Sequence, residues 1–274
     1  MHLMKAILLT GVSGGIGFEV AKKFLSEDYV VFGLDIKPPK ETLENLIYIE
    51  TDITKEGSIQ NAFNIVKNSG YELTTIISTA GIYELNSLIE MKEADFIKVF
   101  DVNVFSIYRI NKTFFPLLAN KGKIIMISSE LAPLDPLPFT GIYAISKTLV
   151  EQYAFSLRME VQLLGHQVVL IRPGAIDTGL IDVSLEKLNK FTEETTYYKC
   201  NSKKFKDIVN SVESKKIHPS KVAKLIYKVN RKKKPRYVYK INRNPGLLLL
   251  NALPKRTQNW IIKKILMTKK QKMS

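Results

Sequence analysis

Two tyrosines in this sequence are followed four residues later by a lysine, an arrangement that can do acid–base chemistry. They are Tyr143 with Lys147 in "YAISK" and Tyr108 with Lys112 in "YRINK". Residues four apart lie on one face of a helix, so each lysine can hold its ammonium near the phenol. A positive charge there favours the phenolate and lowers the tyrosine pKa from its ordinary value of about 10. The spacing alone does not choose between the two pairs.

A glycine-rich segment near the N-terminus has the composition of a nucleotide-binding turn. "TGVSGGIG" (10–17) joins an apolar run to a helical pattern, and its important glycines are Gly11, Gly15 and Gly17. The N–H groups at the start of a helix attract phosphate oxygens, and glycines let a pyrophosphate approach the backbone. Glycines that serve only a tight turn are the alternative interpretation.

An acidic residue, Asp35, ends the next apolar run, "VVFGLD". A carboxylate at this place can accept hydrogen bonds from the ribose hydroxyls of an adenosine, and it repels a 2′-phosphate. Together with the glycine turn it predicts a dinucleotide cofactor and favours NAD. Lys37 is a counter-signal that keeps NADP open, and an ordinary turn residue is the alternative role for Asp35.

Apolar, β-branched runs alternate with helical patterns up to about residue 172. Strands are predicted at residues 5–10, 29–35, 46–52, 74–79, 122–129 and 166–174, and helices at 16–26, 55–68, 93–118 and 143–164. Near-continuous apolar strands suit a sheet that is covered on both faces, and short links to helices suit parallel strands. The predicted fold is α/β, a doubly wound parallel sheet of the Rossmann type with helices on both faces.

The alternation stops after Pro173. Residues 175–218 are polar and are predicted to form a mobile flap over the substrate, followed by a helix at 219–230 and a strand at 236–240. No repeat or linker divides the chain. We therefore expect one domain of the Rossmann type over residues 1–240 and a basic, partly amphipathic C-terminal extension over residues 241–274.

Composition limits the location and the chemistry. The 274 residues contain one cysteine, Cys200, which suits a reducing compartment, and no apolar run of about 18 residues that spans a bilayer. The N-terminal apolar run ends in the glycine turn, which is unlike a signal-peptide cleavage site. His2, His166 and His218 are scattered, so no metal site is predicted. These features indicate a cytoplasmic protein.

The net charge of +15 is unevenly distributed. Residues 199–274 hold 23 of the 41 Lys and Arg but only 2 of the 26 Asp and Glu, a net +21. "GLLLLNALP" and "NWIIKKILMTKK" in this segment are typical of a basic amphipathic surface on an anionic bilayer. The alternative is that these apolar residues close over the core or the substrate cleft. Nucleic acid at "RKKKPR" (231–236) is the least favoured partner, because a solvated turn explains this run equally well.

Several motifs, in chain order, resemble those of the short-chain dehydrogenase/reductase family. They are "TGVSGGIG" (10–17), "TDIT" (51–54), "STAG" (78–81), "DVNVFS" (101–106), "ISSE" (127–130), "YAISK" (143–147) and "RPGAIDTG" (172–179). The resemblance covers about residues 5–180. The remaining chain is more loosely similar to the branch that contains retinol and 17β-hydroxysteroid dehydrogenases.

The resemblance selects Tyr143 as the catalytic tyrosine, because the family places a serine at the end of the preceding strand. It implies that Tyr143 is the general acid/base, that Lys147 supports the phenolate and holds the nicotinamide ribose, and that Ser129 holds the substrate oxygen. Asn103 is implied to carry a water chain from Lys147 to solvent. Tyr108 is expected to pack or to lie on a solvated helix face.

The sequence departs from the family pattern at three places, one of which is the predicted flap (175–218), where no family motif is found. The interval from Ser129 to Tyr143 is one residue longer than the commonest family spacing, which points to Glu130. A carboxylate cannot replace the hydroxyl, so Ser129 is kept and Ser128 is the fallback. In "STAG" (78–81) the family's strand-stabilising asparagine amide is missing.

The resemblance also implies a set of cofactor contacts. The cofactor-binding residues are Gly11, Ser13, Gly15, Ile16, Gly17, Asp35, Asp52, Ile53, Ala80, Gly81, Asn103, Tyr143, Lys147, Pro173, Gly174, Ile176 and Thr178. Two of them, Ile53 and Ile176, are expected in the core in any case.

The implied function is that of an NAD(P)-dependent alcohol dehydrogenase or carbonyl reductase with an apolar substrate. A homo-oligomer through the two long helices, and peripheral contact with a membrane surface, are expected with it. One rival is a non-catalytic nucleotide-binding sensor or membrane-tethered scaffold on the same fold. An epimerase or dehydratase is a second rival, and it calls for a larger substrate domain.

Overall fold

Seven parallel strands form one sheet in the order β3-β2-β1-β4-β5-β6-β7 in the computed structural model, which describes residues 4–213 and 215–267. The strands are β1 (Lys5–Thr10), β2 (Val30–Asp35), β3 (Leu46–Glu50), β4 (Glu72–Ser78), β5 (Leu118–Ile127), β6 (Gln167–Pro173) and β7 (Val238–Ile241). The strand order reverses between β1 and β4, where doubly wound sheets bind ligands. The predicted fold class is confirmed.

Helices cover both faces of the sheet because successive strand side chains point to opposite sides. Ala6 and Leu8 pack with α2 (Glu56–Lys67), α4 (Ser106–Phe114) and α5 (Gly141–Val161). Ile7 and Leu9 pack on the other face with α1 (Gly15–Leu25) and α8 (Ser220–Asn230). Each fully buried aliphatic side chain contributes about 1.5–3 kcal/mol to this packing.

The long helix predicted over residues 93–118 is interrupted. It consists of α3 (Glu93–Phe100), a π-helical turn (Asp101–Phe105) and α4, followed by a 3₁₀ turn (Phe115–Leu117). The widened turn contains Asn103, whose side chain bonds the backbone of Ile82 instead of facing solvent. Such turns are common at functional sites.

The predicted polar flap is helical. It forms α6 (Gly179–Glu194) and α7 (Lys199–Glu213), which bury Leu188, Phe191 and Phe205 against Phe139 in a small separate core. The corner between these helices is held by the Glu90 carboxylate, which accepts bonds from the Thr195 hydroxyl (2.6 Å) and from the N–H groups of Thr196 (2.7 Å) and Tyr197 (3.2 Å). The segment is polar on average, and for this reason its apolar residues at helical spacing were not recognised from the sequence.

The C-terminal extension folds back over this small core. It forms α9 (Pro245–Asn251) and α10 (Lys255–Leu266), and Leu266 is buried. Asn201 on α7 donates to the Leu266 carbonyl at 2.9 Å, and Lys204 donates to the Met267 carbonyl at 2.7 Å. Part of the extension therefore packs over this small core. This agrees with the alternative that its apolar residues close over the core or the substrate cleft. The last lysines, in residues 268–274, lie outside the described residues.

Among the described residues, no helix is both long enough and apolar enough to cross a bilayer. That part of the chain also contains no group of three or more His, Cys, Asp and Glu side chains placed to hold a metal ion.

Candidate active site

A cavity of about 210 Å³ opens at the carboxyl ends of β4, β5 and β6. Ser129, Tyr143 and Lys147 line it together. Most of the remaining wall is apolar and comes from several loops and helices, namely Ile82, Leu131, Leu137, Ile176, Phe205, Ile208, Val209 and Leu247. A mostly apolar pocket with a few convergent polar groups is the usual form of a small-molecule site.

Tyr143 and Ser129 lie together in the wall of this cavity. Burial raises the pKa of Tyr143 to about 12, and the interaction with the Ser129 hydroxyl offsets only part of this rise. The lowered pKa expected from the sequence is therefore wrong for the polypeptide by itself, because desolvation of the phenolate outweighs the lysine at i+4. The phenol is protonated at neutral pH, and the Tyr83 ring packs edge-on against it with the two centroids 4.5 Å apart.

Lys147 is buried next to Tyr143, with 5% of its surface exposed. Its Nζ donates to the Ile127 carbonyl at 3.1 Å and lies 5.8 Å from the centre of the Tyr143 ring. Burial lowers the pKa of Lys147 to about 8. No carboxylate of the described residues pairs with it, so its ammonium is lost at a mildly alkaline pH.

The second tyrosine–lysine pair has the same geometry in a different environment. Lys112 Nζ lies 5.7 Å from the Tyr108 ring centre, but Tyr108 is 50% exposed on α4. Water around this pair screens the ammonium and leaves the phenol solvated. Tyr108 therefore lies on a solvated helix face, away from the cavity.

The two neighbouring serines have different partners. Ser128 Oγ donates to Glu151 at 2.6 Å, and Glu151 in turn pairs with Arg172 through two bonds of 2.5 and 2.7 Å. Ser129 Oγ accepts from the Leu131 N–H at 3.2 Å, and Ser129 lines the cavity with Tyr143. The structure thus brings Ser129 to the tyrosine and uses Ser128 in a structural network.

Asn103 is fully buried, and both its amide oxygen and its amide nitrogen have partners. Its Oδ1 accepts from the Ile82 N–H at 2.8 Å, and its Nδ2 donates to the Ile82 carbonyl at 2.9 Å and to Ser146 Oγ at 3.1 Å. A Cβ added at Gly81 would lie 3.2 Å from Asn103 Oδ1 and 3.5 Å from Lys147 Nζ. The glycine therefore leaves space between the two side chains, and the predicted water chain stays a prediction.

The turn from β1 to α1 fits a dinucleotide phosphate. The first turn of α1 contains no acidic residue and no side-chain cap, so its N–H groups are open to an anion. Gly11 has φ +76°, and a Cβ there would come within 2.7 Å of Ala80 N. A Cβ at Gly17 would collide with the Gly11 carbonyl, and one at Gly15 would lie 2.7 Å from Thr178 Cγ2. These contacts leave no room for larger side chains in the turn.

Asp35 lies against this turn. Its carboxylate accepts from the Ser13 N–H at 3.0 Å and from the Lys37 N–H at 3.4 Å, and Ser13 Oγ donates to the Lys37 carbonyl at 2.5 Å. The acid is therefore fixed where an adenosine ribose would meet the end of β2, while Lys37 is exposed.

The next predicted contacts form a compact turn after β3. The Asp52 carboxylate accepts from Thr54 N (2.9 Å) and Thr54 Oγ1 (2.6 Å). Burial opposes ionisation of Asp52, but these bonds and the charges of Lys55 and Arg109 outweigh it and lower the pKa. Ile53 is part of the core, as expected for an apolar residue here.

The asparagine amide missing from "STAG" is replaced by a hydroxyl. Thr79 Oγ1 donates to the Thr10 carbonyl at 2.7 Å, which links the ends of β4 and β1. The Ala80 N–H donates to Thr10 Oγ1 at 3.4 Å. The strand link that the sequence lacked is thus supplied by two threonines.

The loop after β6 is tightly enclosed. Pro173, Gly174, Ile176 and Thr178 all line the cavity. A Cβ at Gly174 would collide with the Asn242 carbonyl and lie 2.9 Å from a Glu130 oxygen. This loop therefore passes between the β5–α5 loop and the C-terminal extension.

Some residues of the site carry no recognisable motif. Tyr83, Phe205 and Leu247 line the cavity, and Glu130 lies beside Ser129. Leu247 and Phe205 come from segments far along the chain, and only tertiary packing brings them to the cavity. The sequence pointed to two of them: the family spacing pointed to Glu130, and Phe205 is an aromatic residue of the predicted flap.

The profile of the short chain dehydrogenase family matches residues 5–190, and the chain belongs to this family. It is accordingly an oxidoreductase that transfers a hydride between NAD(P) and its substrate. The structure also resembles the ligand-free aldohexose dehydrogenase of Thermoplasma acidophilum, with a TM-score of 0.74 and 21% identity, covering 89% of this chain and 96% of that one. At this identity the likeness concerns the fold alone.

Three relatives share sequence with much of the chain. The 3-ketodihydrosphingosine reductase of Bacteroides thetaiotaomicron is 27% identical and spans 84% of each chain. The NADPH-dependent 3-dehydrocapnine reductase of Ornithobacterium rhinotracheale is 32% identical over 65% of this chain and 67% of its own. The estradiol 17-beta-dehydrogenase 2 of Mus musculus is 31% identical over 64% of this chain and 49% of its own, in agreement with the branch expected from the sequence.

Proposed function

We propose that this chain reduces a ketone on an apolar molecule, with Tyr143 as the general acid. The observation that carries the proposal is the Tyr143–Ser129 pair in an apolar cavity, where burial raises the pKa of Tyr143 to about 12. A protonated phenol can donate its proton to a carbonyl oxygen that the Ser129 hydroxyl also holds. The carbonyl carbon would take its hydride from a reduced nicotinamide cofactor when that cofactor is bound.

Lys147 has two roles in this proposal. It holds the nicotinamide ribose, and its ammonium lies on the same helix face as the phenolate that Tyr143 leaves after donating its proton. Asn103 is proposed to hold the first water of the path that returns a proton to Lys147.

The proposed substrate is a ketone on a long apolar chain. The support is the apolar wall from Leu137, Phe205, Ile208 and Leu247, together with the similarity to a 3-ketodihydrosphingosine reductase. A sugar or a small polar alcohol would leave this wall without complementary contacts.

NAD is the proposed cofactor, and NADP stays the alternative. The Asp35 carboxylate, held by Ser13 at 3.0 Å, favours ribose hydroxyls and repels a 2′-phosphate. Against it stand the exposed Lys37 and the NADPH-dependent relative. Both cofactors therefore belong in the assay.

We propose a homo-oligomer that forms through the two long helices, because both helices expose large apolar residues. α3 and α4, with the turn between them, expose Ile97, Phe105 and Tyr108, while α5 exposes Leu149 and Met159. Large apolar side chains concentrated on neighbouring helices are typical of an interface.

We also propose a cytoplasmic protein that touches anionic membranes through α10. Trp260 is 56% exposed there, with Lys264 Nζ 4.1 Å from its ring centre, and residues 199–274 carry a net +21. A tryptophan among lysines matches the headgroup region of an anionic leaflet, which would also dissolve an apolar substrate.

The decisive assay follows nicotinamide absorbance at 340 nm with 3-ketones of increasing chain length, each with NADH and NADPH. Tyr143→Phe is expected to lower kcat by about 10²–10⁴-fold, because the proton donor is lost. Tyr108→Phe is the matched control and is expected to keep the wild-type rate. Ser129→Ala is expected to lose activity, while Ser128→Ala lowers stability instead.

Equal loss in both tyrosine variants would contradict the assignment of Tyr143. Binding of NADH without turnover of any ketone or alcohol would favour the non-catalytic sensor or scaffold, the rival from another class.

A further inference from the structure

The residue after the substrate-holding serine is a buried acid with an unusual partner. Glu130 is 9% exposed, and its Oε2 accepts from the backbone N–H of Asn244 at 2.7 Å. Glu130 N in turn donates to the Pro173 carbonyl at 2.9 Å. The end of β5 is therefore connected directly to the C-terminal extension, beside the catalytic serine.

Asn244 passes this connection on to helix α9. Its Oδ1 accepts from the N–H groups of Gly246 (2.9 Å) and Leu247 (3.3 Å), which caps the first turn of the helix. Leu247 lines the cavity, whereas Leu249 on the same helix is 70% exposed. Glu130 thus fixes the end of α9 that contributes to the cavity wall.

The other end of α9 is held by the same loop. Asp135 accepts from Asn251 Nδ2 at 2.9 Å and forms an ion pair with Lys255 at the start of α10. The two carboxylates of the β5–α5 loop, Glu130 and Asp135, therefore hold the two ends of α9. Hydride transfer itself requires neither contact, so their common effect is to fix the position of this helix.

We propose that α7 and α9 enclose a binding subsite for the apolar chain of the substrate, and that Glu130 is the positioning residue that holds α9 in place. Phe205, Ile208 and Val209 form the α7 side of this subsite, and Leu247 forms the α9 side. The inference rests on the proposed function for its substrate class. It goes further in assigning the chain-binding wall to the C-terminal extension.

A carboxylate suits this position better than a neutral side chain. An ionised acceptor makes a stronger bond to a backbone N–H, and Arg243 adds a favourable charge. Burial works against this and raises the pKa of Glu130, so the bond from Asn244 offsets a real desolvation cost.

The subsite is tested first by binding, without turnover. The probe is pyrenedecanol, a fluorescent ten-carbon alcohol, titrated into the full chain. Leu247→Trp fills the subsite and is expected to weaken probe binding about tenfold or more, whereas Leu249→Trp, on the exposed side of the same helix, keeps the wild-type affinity. Equal affinity in both variants and the wild type overturns the subsite.

The role of Glu130 is tested by selectivity. The measured quantity is the ratio of kcat/KM for a twelve-carbon ketone to kcat/KM for a four-carbon ketone. Glu130→Ala is expected to lower this ratio about tenfold, mainly through the KM of the long ketone, and to speed hydrogen exchange in residues 244–251. Glu130→Gln keeps an acceptor for the Asn244 N–H and is expected to restore most of the ratio.

The outcomes separate the two proposals. If Glu130→Ala leaves both the ratio of kcat/KM values and the hydrogen exchange of residues 244–251 unchanged, the positioning role of Glu130 is overturned. The proposed function is not affected by that result as long as the four-carbon ketone is turned over. Absence of turnover in the wild type overturns the proposed function, and the pyrenedecanol titration then still decides the subsite.

Discussion

The chemistry of the two tyrosine–lysine pairs is decided by their surroundings. Tyr143 and Tyr108 have lysines at the same spacing and at nearly the same distance from the ring centre, 5.8 and 5.7 Å. Tyr143 and Lys147 are removed from water, which shifts the pKa values of both groups. Desolvation therefore distinguishes the buried pair from the second pair, which is a contact on the solvated surface.

The lowered pKa of Lys147 predicts a pH dependence for ketone reduction. Its ammonium is present below a pH of about 8 and is lost above it, while Tyr143, with a pKa of about 12, stays protonated. We expect kcat/KM to fall as the pH rises through about 8, because the positive charge that supports the phenolate disappears. A pH–rate profile that extends about two pH units to each side of this value measures the fall.

The control for this prediction is Lys147→Met. Its residual activity is expected to be low and to show no inflection near pH 8. The same inflection in the variant and the wild type would assign the titration to another group.

Most of the predicted elements are found, with shifted ends. β1 has the predicted bounds, and β5 begins before its predicted start because an irregular stretch precedes its regular pairing at Lys123. The larger differences are α6 and α7, where Leu188, Phe191 and Phe205 find apolar partners in one another. The local composition predicted a polar flap, because composition does not show which residues contact each other over long distances in the chain.

The exposed faces of the long helices predict self-association. Leu149→Glu on α5 is expected to shift the protein toward the monomer, because a charge would have to be buried in the interface. Ile65→Glu on α2 is a close control, since Ile65 is 41% exposed and Leu149 is 42% exposed. Light scattering coupled to size-exclusion chromatography measures the mass, and an unchanged mass in Leu149→Glu would exclude α5 from the interface.

The uneven charge of the whole molecule predicts binding to anionic vesicles. Trp260 is the single tryptophan of the chain, so its emission reports directly on α10. We expect a blue shift with vesicles that contain phosphatidylserine, little change with pure phosphatidylcholine, and reversal at high salt.

The matched variants for this experiment each replace one lysine, and both of these lysines lie over an aromatic ring. Lys264→Glu, beside Trp260, is expected to weaken vesicle binding by at least about fivefold, since each basic residue near the surface contributes about 1 kcal/mol and the new negative charge is also repelled. Lys22→Glu, over Phe18 on α1, is expected to have a much smaller effect. Equal loss in both variants would indicate a diffuse charge effect without docking of α10.

The sheet and the glycine turn could be predicted from local patterns, namely apolar periodicity and the glycines and acid at strand ends. The cluster of Asn103, Ser129, Tyr143 and Lys147 was predicted from the resemblance to the short-chain dehydrogenases. Parallel strands then bring these ends to one edge of the sheet. The direction of the Tyr143 pKa could not be predicted, because it depends on how completely the fold excludes water.

The arrangement of the apolar wall of the cavity was decided by tertiary structure, although Phe205 belongs to the flap predicted from the sequence. Leu247 and Phe205 reach it through helices that lie far along the chain from the catalytic motifs, and Glu130 acquires its partner Asn244 from 114 positions away. Such contacts leave no periodic pattern in the sequence, because each segment alone is polar or ambiguous. Hydride chemistry is encoded in local motifs, whereas the wall that meets the substrate exists only after the chain has folded back on itself.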